Sequence, residues 1–112
     1  MLGPLSAAIV HVDDMARETA FYRDVLELEP SYESEWWTTF DTGACTLALH
    51  GGGKIGVPNV RVNFDVDDLD AARAALRERG IETTDVREPA PGVRVCDLRD
   101  PEGNTISLEE RR

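Results

Sequence analysis

The alternation of apolar and polar residues is clearest over residues 60–66, where valine or phenylalanine occupies every second position and predicts a strand. Apolar residues at helical spacing predict two helices, one from residue 15 to about 26 and one over 69–79. Each predicted helix follows a pair of aspartates, either of which can cap it. The other predicted strands are residues 5–12, 32–34, 36–41, 45–50, 81–86, 93–98 and 104–109.

The predicted order of one strand, one helix and three strands therefore occurs twice. Residues 12–15 and 66–69 both read Val-Asp-Asp followed by Met or Leu, and the segment 41–49 similarly echoes 100–108. This internal repeat has a period of about 55 residues. The glycine-rich segment 51–58 has the composition of a linker. We therefore predict a single domain over 1–112, with modules 5–50 and 59–110 joined by the linker 51–58.

The segment 100–104, Asp-Pro-Glu-Gly-Asn, is typical of a type I turn that leads into the last strand. Pro101 presets φ at the second position of the turn, and Gly103 can adopt a positive φ at the fourth. In the strand that follows, Ile106 and Ser107 point to opposite faces. One face of this strand is therefore expected to pack on a core, while the other faces a polar environment.

Composition narrows the possible partners. The chain has 112 residues, 41% of them hydrophobic and 30% charged, as expected of an ordinary globular protein. A formal net charge of −10 argues against nucleic acid and against an anionic membrane surface, since both attract basic clusters. The same charge is compatible with attraction of cationic small molecules.

Neither a membrane segment nor an oxidising compartment is indicated. No apolar run approaches the roughly 18 residues that a bilayer-spanning helix needs. Cys45 and Cys96 are isolated and show no Cys-x-x-Cys spacing, so we expect buried, reduced thiols and a cytoplasmic location.

Three motifs in this order resemble the vicinal oxygen chelate superfamily, which includes glyoxalase I, the bleomycin-resistance proteins and the extradiol dioxygenases. The motifs are residues 12–15 with 21–26, residues 66–69 with 79–81, and the turn 100–104. The resemblance covers about residues 5–110. It implies an α+β fold in which two tandem βαβββ modules form a curved mixed sheet around a cleft, with the helices outside. It also implies a homodimer, which is common among small members.

The resemblance assigns the superfamily's four metal-ligand positions to Ala7, Ala48, Arg61 and Ser107. Alanine has no donor atom, arginine keeps its positive charge, and serine is a poor ligand for these metals. We therefore predict no metal at this site and no cofactor, and with them the loss of the Lewis acid of glyoxalase I and the iron of the dioxygenases. His11 also stands where glyoxalase I anchors glutathione with an arginine.

Two adjacent tryptophans begin the predicted strand 36–41. Because neighbouring residues of a strand point to opposite faces, one indole should face the core and the other the cleft. Trp36 shares its parity with Phe40 and is expected in the core, which leaves Trp37 for the cleft. Trp37 is then either a stacking platform for a planar or cationic ligand, or an aromatic that fills the cleft or a dimer interface.

Other cleft-facing side chains allow several interpretations. Arg61 could hold an anionic group or pair with Asn63, Asp65 or Glu109. The two histidines and Glu109 could form a displaced metal site, or the histidines could be ordinary strand-end residues. The predicted ligand-binding residues are Trp37, His11, His50, Arg61, Asn63, Ser107 and Glu109, and no catalytic residue is predicted.

The leading hypothesis for function is a non-catalytic protein, similar to the bleomycin-resistance branch, that binds a cationic or aromatic small molecule. One alternative is a lyase, isomerase or dioxygenase-type enzyme of the same superfamily with a displaced or non-metal active site. Another is a dimeric interaction module that binds no ligand.

Overall fold

The structure of the protein, a computed structural model, describes residues 7–57 and 59–112. The described residues form two compact units. The first unit comprises residues up to 60 together with 101–103, and the second comprises 61–100 and 104–112. The predicted strand residues 5 and 6, and Pro58 of the predicted linker, lie outside the described residues.

The first module has the order strand, helix and three strands. Its elements are β1 (Ala7–Val12), α1 (Met15–Ala20), β2 (Glu29–Tyr32), β3 (Trp37–Asp41) and β4 (Thr46–Gly51). Helix α1 continues directly into a π-helical segment, Phe21–Val25. The sheet has the strand order β1-β4-β3-β2, in which β1 runs parallel to β4 and the other pairs are antiparallel.

The second module repeats this arrangement. Its elements are β5 (Val62–Asp65), α2 (Leu69–Glu78), β6 (Arg87–Ala90), β7 (Val93–Arg99) and β8 (Thr105–Arg111). The strand order is β5-β8-β7-β6, again with one parallel pair, β5 and β8. The predicted α+β fold with two tandem βαβββ modules is confirmed. No helix in the ranges 7–57 and 59–112 is long and apolar enough to cross a membrane.

Side-chain caps begin both helices. The Asp14 carboxylate accepts the Arg17 N–H at 3.0 Å, and the Asp68 carboxylate accepts the Ala71 N–H at 3.0 Å. The second aspartate of each pair is therefore the cap, because its extended backbone leaves the side chain free to reach the first turn.

The core of the first unit lies between its sheet and its helical segment. Val10, Val12, Phe40 and Leu49 are buried on one face of the sheet. Tyr22 of the π-helical segment is also buried, with its ring centroid 6.0 Å from that of Phe40. In the second unit the buried apolar residues include Val62, Leu69, Leu76, Ile106 and Leu108.

Two strand predictions were wrong. The strand predicted at 32–34 lies at Glu29–Tyr32, and the strand predicted at 81–86 lies at Arg87–Ala90. The segment 81–86 runs beside β7, and Thr84 donates its N–H to the Asp97 carbonyl at 2.9 Å. The Asp97 N–H, however, is taken by the Thr84 hydroxyl at 2.9 Å. A side chain thus replaces the backbone partner that a strand would need there.

The turn 100–104 has its predicted conformation at Gly103, which has a φ of +85°. The Asp100 N–H donates to the Asn104 carbonyl at 3.0 Å, and the Asn104 N–H donates to the Asp100 carboxylate at 2.8 Å. Glu102, at the tip of the turn, belongs to the first unit. Its carboxylate accepts N–H groups from Asp13 and Asp14 just before α1.

Candidate functional site

Three of the predicted ligand-binding residues come together on one face of the first sheet. His11 on β1 and Trp37 on β3 are both register partners of His50 on β4. The centroids of the two imidazole rings are 5.0 Å apart, and the Trp37 ring stands edge-on to His50 at 5.8 Å. Both histidines are exposed and Trp37 is half-buried. Because Phe40 and Trp37 differ in parity, this face is opposite the buried one.

Backbone contacts hold both histidines. The His50 ring bonds through Nδ1 to the Gly51 carbonyl at 2.6 Å. The side-chain amide of Asn59 accepts the His11 N–H at 3.2 Å and donates to the His11 carbonyl at 2.6 Å. Gly53 approaches the same strand so closely that an added Cβ would lie 2.8 Å from the Val12 nitrogen, which is why glycine is needed there.

In the second unit, Arg61 belongs to an ion-pair cluster centred on Asp97. The Arg61 guanidinium donates to the Asp97 carboxylate at 3.0 Å and to the Ser107 hydroxyl at 2.9 Å. Arg87 donates to the same carboxylate at 3.0 Å, and the Ser107 hydroxyl donates to it at 2.7 Å. The partner of Arg61 is therefore Asp97, rather than the Asn63, Asp65 or Glu109 considered from sequence.

Asp97 is held as a carboxylate by this cluster. Burial by itself raises the pKa of Asp97, but hydrogen bonds from Arg87, Ser107 and Arg61 outweigh it and lower the pKa to about 2. Ser107 is only 1% exposed, and its hydroxyl is already bonded on both sides. These contacts are sufficient to explain both Arg61 and Ser107 as structural residues.

The two remaining predicted residues lie on the same face as Ser107. Asn63 on β5 is exposed and is the register partner of Ser107. Glu109 on β8 is half-buried and pairs with Arg111 at 2.8 Å. Neither contributes to the Asp97 cluster by a described hydrogen bond.

The four positions that the resemblance assigns to metal ligands do not fit a metal ion. Ala7 and Ala48 offer methyl groups, while Arg61 and Ser107 are bonded to Asp97. Over residues 7–57 and 59–112, no group of three or more His, Cys, Asp or Glu side chains could hold a metal ion.

A groove of about 920 Å³ on the first unit was not predicted. It lies at the start of α1, between that helix and the loop that leads into β3. Its floor holds Met15, Thr19 and Thr38, with the two threonine hydroxyls 3.1 Å apart. Trp36 forms part of its wall. The charged lining residues are Asp13, Asp14, Arg23, Glu33 and Glu35.

The prediction that Trp36 packs in the core was wrong. Strand β3 begins at Trp37, and Trp36 lies in the preceding bend with 63% of its surface exposed. The Ser34 hydroxyl accepts the N–H groups of Trp36 and Trp37 at 3.3 and 3.0 Å. This serine turn interrupts the extended chain before Trp37, so parity cannot be extrapolated back to Trp36. In the sequence, Ser34 between Glu33 and Glu35 is the signal that could have indicated this turn.

The indole of Trp36 rests on Gly51. The Gly51 N–H donates to the Trp36 carbonyl at 2.9 Å. A Cβ added to Gly51 would lie 3.0 Å from the indole ring, so the absence of a side chain there provides the seat for Trp36. The position of the exposed indole is therefore set by local packing.

Each of the two βαβββ modules pairs its first strand in parallel with its last, β1 with β4 and β5 with β8. This arrangement places the protein in the class of vicinal oxygen chelate folds. The chain belongs to the glyoxalase-like domain family, whose profile matches residues 7–109. The resemblance drawn from the three sequence motifs is thus confirmed.

Solved structures with this fold come from enzymes and from binding proteins. A lactoylglutathione lyase from Agrobacterium tumefaciens is 21% identical, with a TM-score of 0.82, over 97% of this chain and 94% of that one. The antibiotic-binding protein TnmS3 from Streptomyces sp. CB03234 is 23% identical, with a TM-score of 0.85, over 99% and 98%. A bleomycin-binding protein from Streptomyces verticillus, complexed with copper(II)-bleomycin, is 21% identical, with a TM-score of 0.79, over 100% of both chains.

These identities show a shared fold. No curated protein sequence is significantly similar to the chain.

Proposed function

We propose that the protein binds a cationic, aromatic small molecule without transforming it. The observation that carries the proposal is the groove of about 920 Å³, in which an exposed indole stands among carboxylates. Its volume lies within the range of roughly 300–1,000 Å³ that is typical of pockets for drug-sized ligands. Two proteins of the same fold, described as antibiotic-binding and bleomycin-binding proteins, are examples of this fold in a binding role.

Charge favours a cationic ligand. Asp13, Asp14, Glu33 and Glu35 line the groove together with a single guanidinium, that of Arg23. Arg23 is itself engaged by Asp24 at 2.8 Å and by Glu33 at 2.9 Å. The carboxylates of Asp13 and Glu35 therefore remain to attract a cation, and an acidic concave surface concentrates cations near it.

The exposed indole favours an aromatic ligand. A planar cation stacked on Trp36 would combine ring contact with cation–π attraction, which contributes about 0.5–2 kcal/mol. The floor below it has two hydroxyls and the Met15 thioether, which can accommodate an apolar ligand edge and accept or donate one hydrogen bond.

The proposal includes loss of the superfamily's metal chemistry. It is supported by the side chains at the corresponding positions, since Ala7, Ala48, Arg61 and Ser107 provide no suitable set of donors. The alternative of an enzyme with a displaced site gains no support from Arg61 or Ser107, because both are bonded to Asp97.

Titration with bleomycin and with a planar cationic dye of the acridine type tests the proposal. We expect saturable quenching of Trp36 in a Trp37→Phe background, which leaves Trp36 as the one tryptophan of the chain. Trp36→Ala, in a calorimetric titration of the otherwise unchanged protein, should weaken binding about tenfold, since about 1.4 kcal/mol corresponds to that factor. Tyr32→Ala is the matched control, because Tyr32 is 57% exposed and does not line the groove.

Charge is tested separately. Asp13→Asn combined with Glu35→Gln should weaken binding of the dye, and the effect should decrease at high salt because screening suppresses it. Glu78→Gln combined with Asp85→Asn makes the same change of net charge at exposed positions outside the groove. Equal weakening by both double variants, or no binding by the unchanged protein, would contradict the proposal.

A further inference from the structure

We propose that His11 and His50 form a binding site for a divalent transition-metal ion, with Cu²⁺ bound most tightly. The site lies on the exposed face of the first sheet and is independent of the groove. It uses different residues from the superfamily's metal positions, since His11 lies beyond Ala7 on β1 and His50 beyond Ala48 on β4.

Register brings the two imidazoles together. Strands β1 and β4 are parallel neighbours, and His11 is directly opposite His50. Two nitrogens bound to one ion at 2.0–2.1 Å are about 2.9 Å apart at the right angle of a tetragonal Cu²⁺ site and about 3.3 Å apart at a tetrahedral angle. Ring centroids 5.0 Å apart and tilted by 39° allow two outer ring nitrogens to reach such a separation by small side-chain rotations.

A backbone contact prepares His50 for this role. The Gly51 carbonyl can only accept a hydrogen bond, so the contact of 2.6 Å requires the proton of His50 to be on Nδ1. In the tautomer with its proton on Nδ1, the Nε2 lone pair of His50 is available to bind a metal ion. Metal-binding histidines typically donate their second ring N–H to a carbonyl in this way, which fixes both tautomer and ring orientation.

His11 is positioned through its backbone. Asn59 holds both the N–H and the carbonyl of His11, and Gly53 closes against the same residue. Neither contact uses the imidazole. The His11 ring therefore projects from a fixed point beside a fixed partner, which lowers the entropy lost when both rings bind one ion.

The donor set selects the ion. Imidazole nitrogens suit Cu²⁺, Ni²⁺ and Zn²⁺, and affinity for a given nitrogen site rises to a maximum at Cu²⁺. Hard ions such as Mg²⁺ prefer oxygen donors and should not bind here. Two protein donors leave the other coordination positions to water or to a donor atom of an added chelate.

Trp37 provides the measurement. Its ring is 5.8 Å from that of His50, close enough for a bound Cu²⁺ to quench its fluorescence. The chain has two tryptophans and two histidines, so Trp36→Phe leaves Trp37 as the sole reporter and a His11→Ala/His50→Ala double variant removes every imidazole. The protein must be prepared without a histidine tag.

We expect saturable quenching of Trp37 by CuCl₂ and a stoichiometry of one ion per chain by calorimetry. Each single variant, His11→Ala or His50→Ala, should weaken Cu²⁺ binding at least tenfold, because one imidazole cannot chelate. Melting curves recorded without metal should be alike for the unchanged protein and the histidine variants, while Cu²⁺ should raise the melting temperature only where both histidines are present.

Undiminished Cu²⁺ binding by the double variant would overturn the proposal. So would a loss of only about twofold in each single variant, which would indicate two independent imidazoles. Trp36→Ala should leave Cu²⁺ affinity unchanged while weakening ligand binding in the groove about tenfold, so that failure of one proposal is distinguishable from failure of the other.

Discussion

Replacing Glu102 by glutamine keeps the volume of the side chain but removes the charge that holds the start of α1. Both carboxylate oxygens of Glu102 accept the Asp13 N–H, at 2.8 and 2.9 Å, and one of them also accepts the Asp14 N–H at 2.6 Å. The Glu102 N–H donates in turn to the buried carboxylate of Glu18 at 3.0 Å. Glu102 is thus held both by its backbone N–H and by its carboxylate.

The expected loss of stability follows from these contacts. A hydrogen bond to a charged group contributes about 1.5–3 kcal/mol. Glutamine retains one acceptor oxygen but turns an amide donor toward the other N–H, and Glu102 is only 8% exposed, so water cannot easily substitute. We expect Glu102→Gln to lower the free energy of unfolding by about 2–3 kcal/mol. For a domain of this size, that corresponds to a decrease in melting temperature of about 8–12 °C.

Urea unfolding followed by far-UV circular dichroism measures this difference, with melting curves as a second determination. Glu82→Gln is the matched control, because it makes the same chemical change at an exposed residue. A destabilisation by Glu102→Gln no greater than that of this control would show that the charge of Glu102 does not hold the start of α1.

Three further perturbations test other parts of the structure. Asp97→Asn should cost about 1 kcal/mol at neutral pH, less than the full pKa shift implies because Arg61 and Arg87 are half exposed and screened. Because the folded-state pKa of Asp97 is lowered from 3.8 to about 2, this stabilisation is present above about pH 4 and is lost as pH falls toward 2. Unfolding curves of the unchanged protein and the variant should therefore converge in acid. Ser34→Ala should reduce stability by about 1 kcal/mol and lower the fluorescence anisotropy of Trp36 in the Trp37→Phe background, since the turn that fixes the indole is lost; unchanged anisotropy would contradict this. Phe40→Ala should cost about 3–5 kcal/mol in urea unfolding, because Phe40 is fully buried, whereas Tyr32→Ala should have little effect.

The repeat, the two helices and most strands could be predicted because the relevant signals are local. Alternation of apolar residues identifies β5 and β8, and the aspartate pairs locate the helix starts to within one residue. The strand expected over 81–86 failed for a non-local reason. Whether Thr84 bonds to Asp97 through its backbone or its hydroxyl depends on a strand that follows later in the chain.

At the candidate site, too, local patterns could be predicted and contacts between distant parts of the chain could not. Parity along β1 and β4 was sufficient to place His11 and His50 on one face, but their pairing depends on strand register, which the sequence does not encode locally. Arg61 was expected to find an acidic partner, yet the partner depends on Asp97 being opposite Ser107 across β7 and β8. Trp36 was misplaced because the Ser34 turn delays the start of the strand by one residue, from Trp36 to Trp37.

The contact between Glu102 and the start of α1 also bears on how a duplicated sequence can be divided. A fragment that ends in the glycine-rich segment contains every strand of the first module but lacks residues 101–103, which complete the first unit. Such a fragment would leave the N–H groups of Asp13 and Asp14 to water and the Glu18 carboxylate without its Glu102 donor. The repeat visible in the sequence therefore does not coincide with the two compact units, because the first unit takes residues 101–103 from the second copy. If the chain arose by joining two copies of an ancestral half, that half needed a second copy to supply the missing turn.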